Sequence, residues 1–275
     1  MRILARLRAR ADSVYDSTYH DKLRGRMWRA LEGTTYDDRH DEHRPTGVCF
    51  SNPFPPGDFE EGDQRTLLVA SPERDLLGAI ASDLDEHPEL NIGEMPFEVT
   101  DISLLAPDVG EPGTRGVLET GTGVLVRIPP ERCKEYGIET DGENPTFWKP
   151  EHTFEPLKTQ LENNLDQKHS QFCPEGLPGP SDRSGDLFDS YELIKTFALP
   201  VTVTQGVEMT YIMSKWRFGY EVRDDHHRRH LNLALDIGVG ERNMLGFGFL
   251  NIDEDSVVPA GQTSGEMADR RRQAR

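Results

Sequence analysis

Long hydrophobic runs are missing from this chain. No stretch approaches the ~20 consecutive apolar residues that a membrane helix needs, and no apolar core follows the N-terminal arginines as it would in a secretory signal. The sequence therefore reads as cytoplasmic, with no membrane partner. Cysteine is scarce too: Cys49, Cys133 and Cys173 are odd in number, far apart and without a CxxC pair, so neither a disulfide framework nor a cysteine-built zinc cluster is expected. Basic residues are outnumbered, 31 Lys and Arg against 49 Asp and Glu, for a formal charge of −18. On net charge alone that balance argues against a nucleic-acid partner, because phosphate binding runs on positive potential.

Distribution matters more than the sum. Arg greatly outnumbers Lys, and the basic residues come in groups: Arg2, Arg6, Arg8 and Arg10; Lys22, Arg24, Arg26 and Arg29; Lys215, Arg217, Arg223, Arg228 and Arg229. The dispersed acidity around them resembles proteins of salt-loving archaea. For any single group, a solvated face offset by nearby acids is the simpler reading.

At 275 residues, 35% of them hydrophobic, the chain is long enough for about two domains with buried cores. Ile3, Ala5, Leu7 and Ala9 alternate with arginines, predicting a strand over 1–11 with one buried and one basic face. Leu23, Met27, Trp28 and Leu31 fall at helical spacing, predicting a basic amphipathic helix over 18–31 with Ser17 as its cap. A histidine-bearing polar loop runs to Pro45. Strands follow over 47–51 and 65–70, then a helix from Ser71 through Leu84 and a strand over 95–105. The order is β-α-β-β-α-β, the ferredoxin-like arrangement.

Residues 107–116 read as a hinge. Beyond it come strands over 117–120 and 124–128 around Gly121 and Gly123, a helix over 153–172, a hairpin with strands over 191–213 and 216–222, a short helix over 231–237 and a closing strand over 246–253. The expected fold class is α+β: two tandem ferredoxin-like domains, 1–108 and 116–254, with a glycine-rich loop near the C-terminus and a disordered polar tail over 255–275.

That loop sits in the segment DIGVGERNMLGFGFLNI, residues 236–252, which places Gly238, Gly240, Gly246 and Gly248 between two apolar stretches. Glycines at this density permit positive φ and leave amides uncovered by side chains, a concavity suited to phosphate oxygens. It is no P-loop, since no Lys-Ser or Lys-Thr follows the last glycine. Nor is it a dinucleotide fingerprint, since a strand rather than a helix comes next. Residues 245–252 approximate the first RNA-contacting strand of an RRM, with Leu245 where Lys or Arg is usual. A glycine-rich β-turn before a core strand is the plainer reading.

The glycine pattern GVGERNMLGFGF, the basic early helix, the histidine loop leading into CFSNPF and the repeated ferredoxin-like order together resemble the CRISPR-associated repeat endoribonucleases, the Cas-six family of the RAMP group, over residues 1 to about 253. The resemblance implies an endoribonuclease that cuts once within each repeat of a CRISPR precursor transcript, with no metal and no cofactor. A ribose 2′-hydroxyl attacks the adjacent phosphorus, leaving a 2′,3′-cyclic phosphate and a 5′-hydroxyl. The family's histidine falls in the loop YDDRHDEHRPTGVCFS, which makes His40 the candidate general acid/base and His43 its competitor, since imidazole titrates near neutrality. No lysine follows His40 at short range; Arg44 is the nearest cation after it and Tyr36 a further hydroxyl. His20, Lys22, Arg24 and Arg26 are expected along the RNA path, and Gly238, Gly240, Arg242, Asn243, Gly246 and Gly248 at the RNA backbone. His226, His227 and His230 lack a completing carboxylate or cysteine at firm spacing and read as an exposed or RNA-facing turn rather than a metal site. The implied partner is CRISPR repeat RNA, with other subunits of an effector complex in addition; the alternative is a non-catalytic RNA-binding subunit of the same fold.

Overall fold

The computed structural model describes residues 1–41, 45–140, 144–182, 185–202 and 208–262. Its first half runs β1 (Arg2–Ala9), α1 (Tyr19–Arg29), β2 (Cys49–Phe50), β3 (Gln64–Ala70), α2 (Arg74–Glu86), β4 (Glu89–Ile92) and β5 (Met95–Leu105). These strands form one sheet in the order β2-β3-β1-β5-β4, every neighbour antiparallel. Without β4 the order is that of a ferredoxin-like unit, as the strand and helix periodicities predict. β4, which the sequence reading did not separate, forms a tight hairpin with β5: Ile92 pairs with Met95 across Gly93, whose φ of 63° suits the turn.

The second half runs β6 (Arg115–Thr120), β7 (Arg127–Ile128), α3 (Pro130–Glu135), β8 (Thr146–Phe147), α4 (Glu155–Phe172), β9 (Ser190–Thr202), β10 (Glu208–Glu221), α5 (Asp225–Ile237) and β11 (Leu250–Ile252). Its main sheet is ordered β11-β6-β10-β9, the same topology again. The fold is thus two tandem ferredoxin-like units.

Several details differ from the sequence reading. The single strand expected over 191–213 is two, β9 ending at Thr202 and β10 starting at Glu208 and pairing back on it, and the break expected over 213–216 is a register shift inside β10, between Lys215 and Trp216. Ser214 exchanges backbone hydrogen bonds with Val124 there, so the polar pair that looked like a turn is a bulge held from the side. α5 starts six residues before the apolar run, because the Asp224 carboxylate accepts from the His227 amide at 2.8 Å and caps it. The closing strand shrinks to three residues, Leu250–Ile252, since residues 246–248 are a turn with Gly246 and Gly248 at left-handed φ. The tail expected from 255 begins with ordered turns: Val258 pairs with Arg115, while residues 263–275 lie outside the described ones.

Each sheet packs its helices over its own core. In the first, Ile3 and Leu7 of β1 meet Leu23 and Met27 of α1 and Leu76, Leu77, Ile80 and Leu84 of α2. In the second, Leu157, Leu161 and Leu165 of α4 and Leu231 and Leu235 of α5 lie against Trp216 and Phe218 of β10. Each such side chain contributes about 1.5–3 kcal/mol on burial. Between the halves lies the glycine segment. Met244 enters the first core, Leu245 and Phe247 pack with Tyr211 and Met213, and Phe249 packs with Cys49 and Ala70.

Candidate nucleic-acid interface

The glycine segment follows directly from α5. Gly238, Gly240, Gly246 and Gly248 all take left-handed φ, between 68° and 79°, which L side chains rarely adopt. The positive φ predicted from the sequence is present, but the expected row of bare amides is not: three of the four are taken within the protein. All four glycines are buried, and the N–H groups of Gly238, Gly246 and Gly248 donate to Ala234, Asn243 and Gly123 carbonyls. Close packing explains why glycine is needed. A methyl at Gly246 would collide with the Phe50 ring of β2, and one at Gly248 with the Val239 carbonyl oxygen.

The carbonyls of this segment and its flanks are gathered in by three buried basic side chains from three elements. Arg2 of β1 donates to the Leu235 and Leu250 carbonyls and to Asn251 Oδ1, with its guanidinium 4.5 Å over the Phe249 ring. His20 of α1 lies 2.7 Å through Nδ1 from the Leu245 carbonyl oxygen, and Lys168 of α4 donates to the carbonyls of Gly238 at 2.8 Å and Gly240 at 2.9 Å. Burial pushes Arg2 down to about 10 and Lys168 down to about 7.

Where this segment surfaces it forms one wall of a groove of about 290 Å³. That wall is Gly240 to Met244; Pro45 to Val48 form the facing one, and Arg127 and Lys168 also line it. Arg127 is tied to the Glu241 carboxylate through its amide at 2.9 Å and Nε at 2.7 Å. Arg242 is exposed, at a left-handed φ of 56°, with its guanidinium 5.5 Å from the centre of the Tyr211 ring.

The facing wall is the end of the histidine loop. The loop begins as a 3-10 turn, Asp37–Asp41, whose Arg39 bonds the Glu73 carboxylate, reaches the Thr46 carbonyl at 3.4 Å and covers the Tyr36 ring at 4.8 Å. Gln171 of α4 donates to the Pro45 carbonyl at 2.7 Å, and Gly47 fits under the Phe172 ring. Both ends of the loop are therefore pinned beside the groove. The backbone of His40 lies in the turn; its side chain, His43 and Arg44 lie outside what the structure describes.

A family model described as CRISPR associated protein Cas6, C-terminal, matches residues 111–252, more than half of the chain. The CRISPR-associated endoribonuclease Cas6 of Haloferax mediterranei is 54% identical over 269 residues, covering 98% of this chain and 99% of that protein. The chain belongs to the Cas6 family. A solved structure described as CRISPR associated protein Cas6 superposes with a TM-score of 0.67 at 17% identity, over 92% of this chain and 99% of that one. A second, described as an RAMP protein binding different RNA substrates, gives 0.65 at 20% identity, over 92% and 100%. Both agree with the tandem ferredoxin-like fold.

The residues expected along the RNA path are divided by the structure. Only Lys22 is exposed; Arg24 is bonded to Asp21 within α1, and Arg26 is buried in an ion pair with Asp83 of α2. His20 is buried between Tyr19 and Phe247. The helical wheel showed these residues as polar, but it could not show that α2 and the glycine segment close over that face. Asn243 is buried as well, its amide bracing the Val239 and Phe247 carbonyls. His227 and His230 sit inside α5, bonded to the Leu187 and Pro178 carbonyls, rather than on an exposed turn; only His226 is exposed. Among the described residues no group of three or more His, Cys, Asp and Glu is arranged to hold a metal ion.

Burial holds the His20 imidazole down at about 4, against about 6.5 when unfolded. Between those values the unfolded chain takes up a proton that the folded chain refuses. The stability that His20 contributes is therefore intact above about pH 6.5 and falls as pH drops toward 4. The stability advantage of the wild type over a His20→Gln variant is expected to shrink by ~2 kcal/mol between pH 7.5 and pH 5 in urea melts. An advantage that stays constant over that range would contradict the burial.

Two residues at the groove escaped the sequence reading. Arg127 carried no signal. Lys168 did, since it follows Leu157, Leu161 and Leu165 on the apolar stripe of α4, where another apolar residue is due.

Proposed function

We propose that this protein cleaves CRISPR precursor transcripts within the repeat, by attack of a ribose 2′-hydroxyl on the adjacent phosphorus. The observation that carries this reading, beside family membership, is the groove where the pinned ends of the histidine loop face the glycine segment. A cation on the glycine wall and an imidazole carried by the loop that ends at the facing wall would then serve a single phosphodiester.

The chemistry needs a base for the hydroxyl proton, a proton donor for the leaving 5′-oxygen, and positive charge near the phosphorane. His40 takes the acid/base role, with His43 the alternative. Arg242, which has no carboxylate partner among the described ion pairs and stands exposed on the groove wall, serves the phosphate together with Arg44. Tyr36 lies under Arg39 and steadies the turn carrying His40. The buried glycines act indirectly: they let the segment pack closely enough to bring Arg242 to the groove. A local cation is what an acidic chain requires to bind RNA.

The test is cleavage of the repeat RNA of the cognate array in EDTA. Cutting at one position, with a cyclic phosphate on the upstream product, is expected. An RNA carrying a 2′-deoxy residue at that position should bind with unchanged affinity and stay whole. Binding of the natural repeat without cleavage would make the protein a non-catalytic RNA-binding subunit instead. Other effector-complex subunits are proposed partners in either case.

A further inference from the structure

Lys168 is a buried lysine to which neither the family resemblance nor the proposed chemistry assigns a task. It is 4% exposed and is one of the residues lining the groove. Its ammonium is spent on two backbone carbonyls, those of Gly238 and Gly240. Gly238 ends α5, so the ammonium also sits at the negative end of that helix. Glu241 is the carboxylate that acts on it, and the Cys49 thiol nearby is kept neutral by burial.

The backbone beyond Gly240 is held at both flanks of a single strained residue. Upstream of Arg242, Lys168 draws the Gly240 carbonyl inward, while the Glu241 amide donates to the Leu125 carbonyl and the Glu241 carboxylate grips Arg127. Downstream, the Leu245 amide donates to the Arg242 carbonyl, and Asn243 braces the turn. Arg242 is the one non-glycine residue at positive φ among the described residues, a conformation that persists only when its surroundings fix it. With Lys168 removed, two buried carbonyls lose their donor and the Gly238–Gly240 backbone is free to turn them elsewhere.

We propose that Lys168 is a positioning residue for RNA cleavage, acting by clamping the Gly238 and Gly240 carbonyls so that Arg242 is presented to the groove facing the histidine loop. It touches no RNA itself. The proposal rests on the cleavage reading given above, and goes beyond it by assigning the presentation of Arg242 to a side chain on a different element.

The test is a cycle of Lys168→Met, Arg242→Ala and the double variant. Each is assayed for single-turnover cleavage of the repeat RNA, for RNA affinity and for thermal unfolding, beside wild type and His40→Ala. Lys168→Met is expected to cut at least tenfold more slowly while binding RNA within threefold of wild type. The double variant should be no slower than Arg242→Ala alone, and Lys168→Arg, which keeps the donors, should recover most of the rate. Wild-type cleavage by Lys168→Met, or losses that multiply in the double variant, would overturn the proposal. If the methionine variant does not fold, Lys168→Gln, uncharged and one bond shorter, replaces it in the same cycle. A loss of at least threefold that vanishes in the Arg242→Ala background is then expected, and multiplying losses again overturn it. A wild-type protein that does not cut would refute the cleavage reading itself, an outcome distinct from all of these.

Discussion

Replacing His40 with alanine is expected to slow repeat cleavage by at least ~10²-fold and to leave RNA affinity within a few-fold of wild type. The first half of that expectation follows from the chemistry. A 2′-hydroxyl is a poor nucleophile until its proton is taken, and an imidazole is the side chain that titrates nearest to neutral pH without being tuned. The second half follows from where the histidine sits. Its turn, Asp37–Asp41, is fixed to the body of the protein through Arg39, by Glu73 and the Thr46 carbonyl, contacts that a substitution at position 40 does not remove. Truncation at position 40 therefore leaves both walls of the groove in place. Single-turnover rates and filter-binding affinities on one labelled repeat RNA separate the two effects. An unchanged rate would remove His40 from the mechanism and pass the role to His43.

Gly248→Ala is expected to destabilise the protein by about 4 kcal/mol or more, enough to lower the unfolding temperature by roughly 10 °C. A left-handed backbone alone costs a non-glycine residue about 1–2 kcal/mol. At Gly248, whose φ is 68°, the new methyl also meets the Val239 carbonyl oxygen, which cannot retreat: Val239 donates its amide to the Gly248 carbonyl and accepts from the Asn243 side chain. Gly33 provides the control. Its φ is 69°, yet nothing lies within 4 Å of where its methyl would be, so Gly33→Ala should cost only the backbone strain. Urea melts of the two variants decide the matter. Equal losses would mean that the glycine segment is not packed as described.

The comparison of these glycines shows what a sequence can and cannot display. The pattern of four glycines between apolar stretches announced positive φ, and positive φ is what the backbone adopts. It did not announce burial. Glycines that let a backbone approach a phosphate and glycines that let it approach Phe50 or Val239 have the same spelling, and only the presence of the neighbouring half of the molecule distinguishes them. Both ferredoxin-like orders were legible for a simpler reason. Periods of two and near four are imposed by each element's own core, as Ile3 and Leu7 or Leu157 and Leu161 illustrate.

Charge was the least legible feature. The basic strand face of Arg6, Arg8 and Arg10 meets Asp101, Glu98 and Glu89 on β5 and β4, and Arg217 is shared among Glu119, Glu192 and Asp253. Arg228 bonds Asp108 and Glu111. Among the described residues many arginines are neutralised by carboxylates distant in sequence, so a run of basic letters is a poor guide to an RNA surface. Arg242 gave no such run. It stands alone between Glu241 and Asn243, and its exposure at the groove comes from a backbone turn that no composition count reveals.

Photocrosslinking places the RNA most directly. A repeat RNA with a photoreactive group at the scissile phosphate, bound to the His40→Ala protein so that it stays whole, should crosslink to peptides containing Thr46 to Val48 and Gly240 to Met244, the two walls of the groove. Crosslinks confined to the β1 face around Arg6 and Arg8, with none at either wall, would contradict cleavage in this groove.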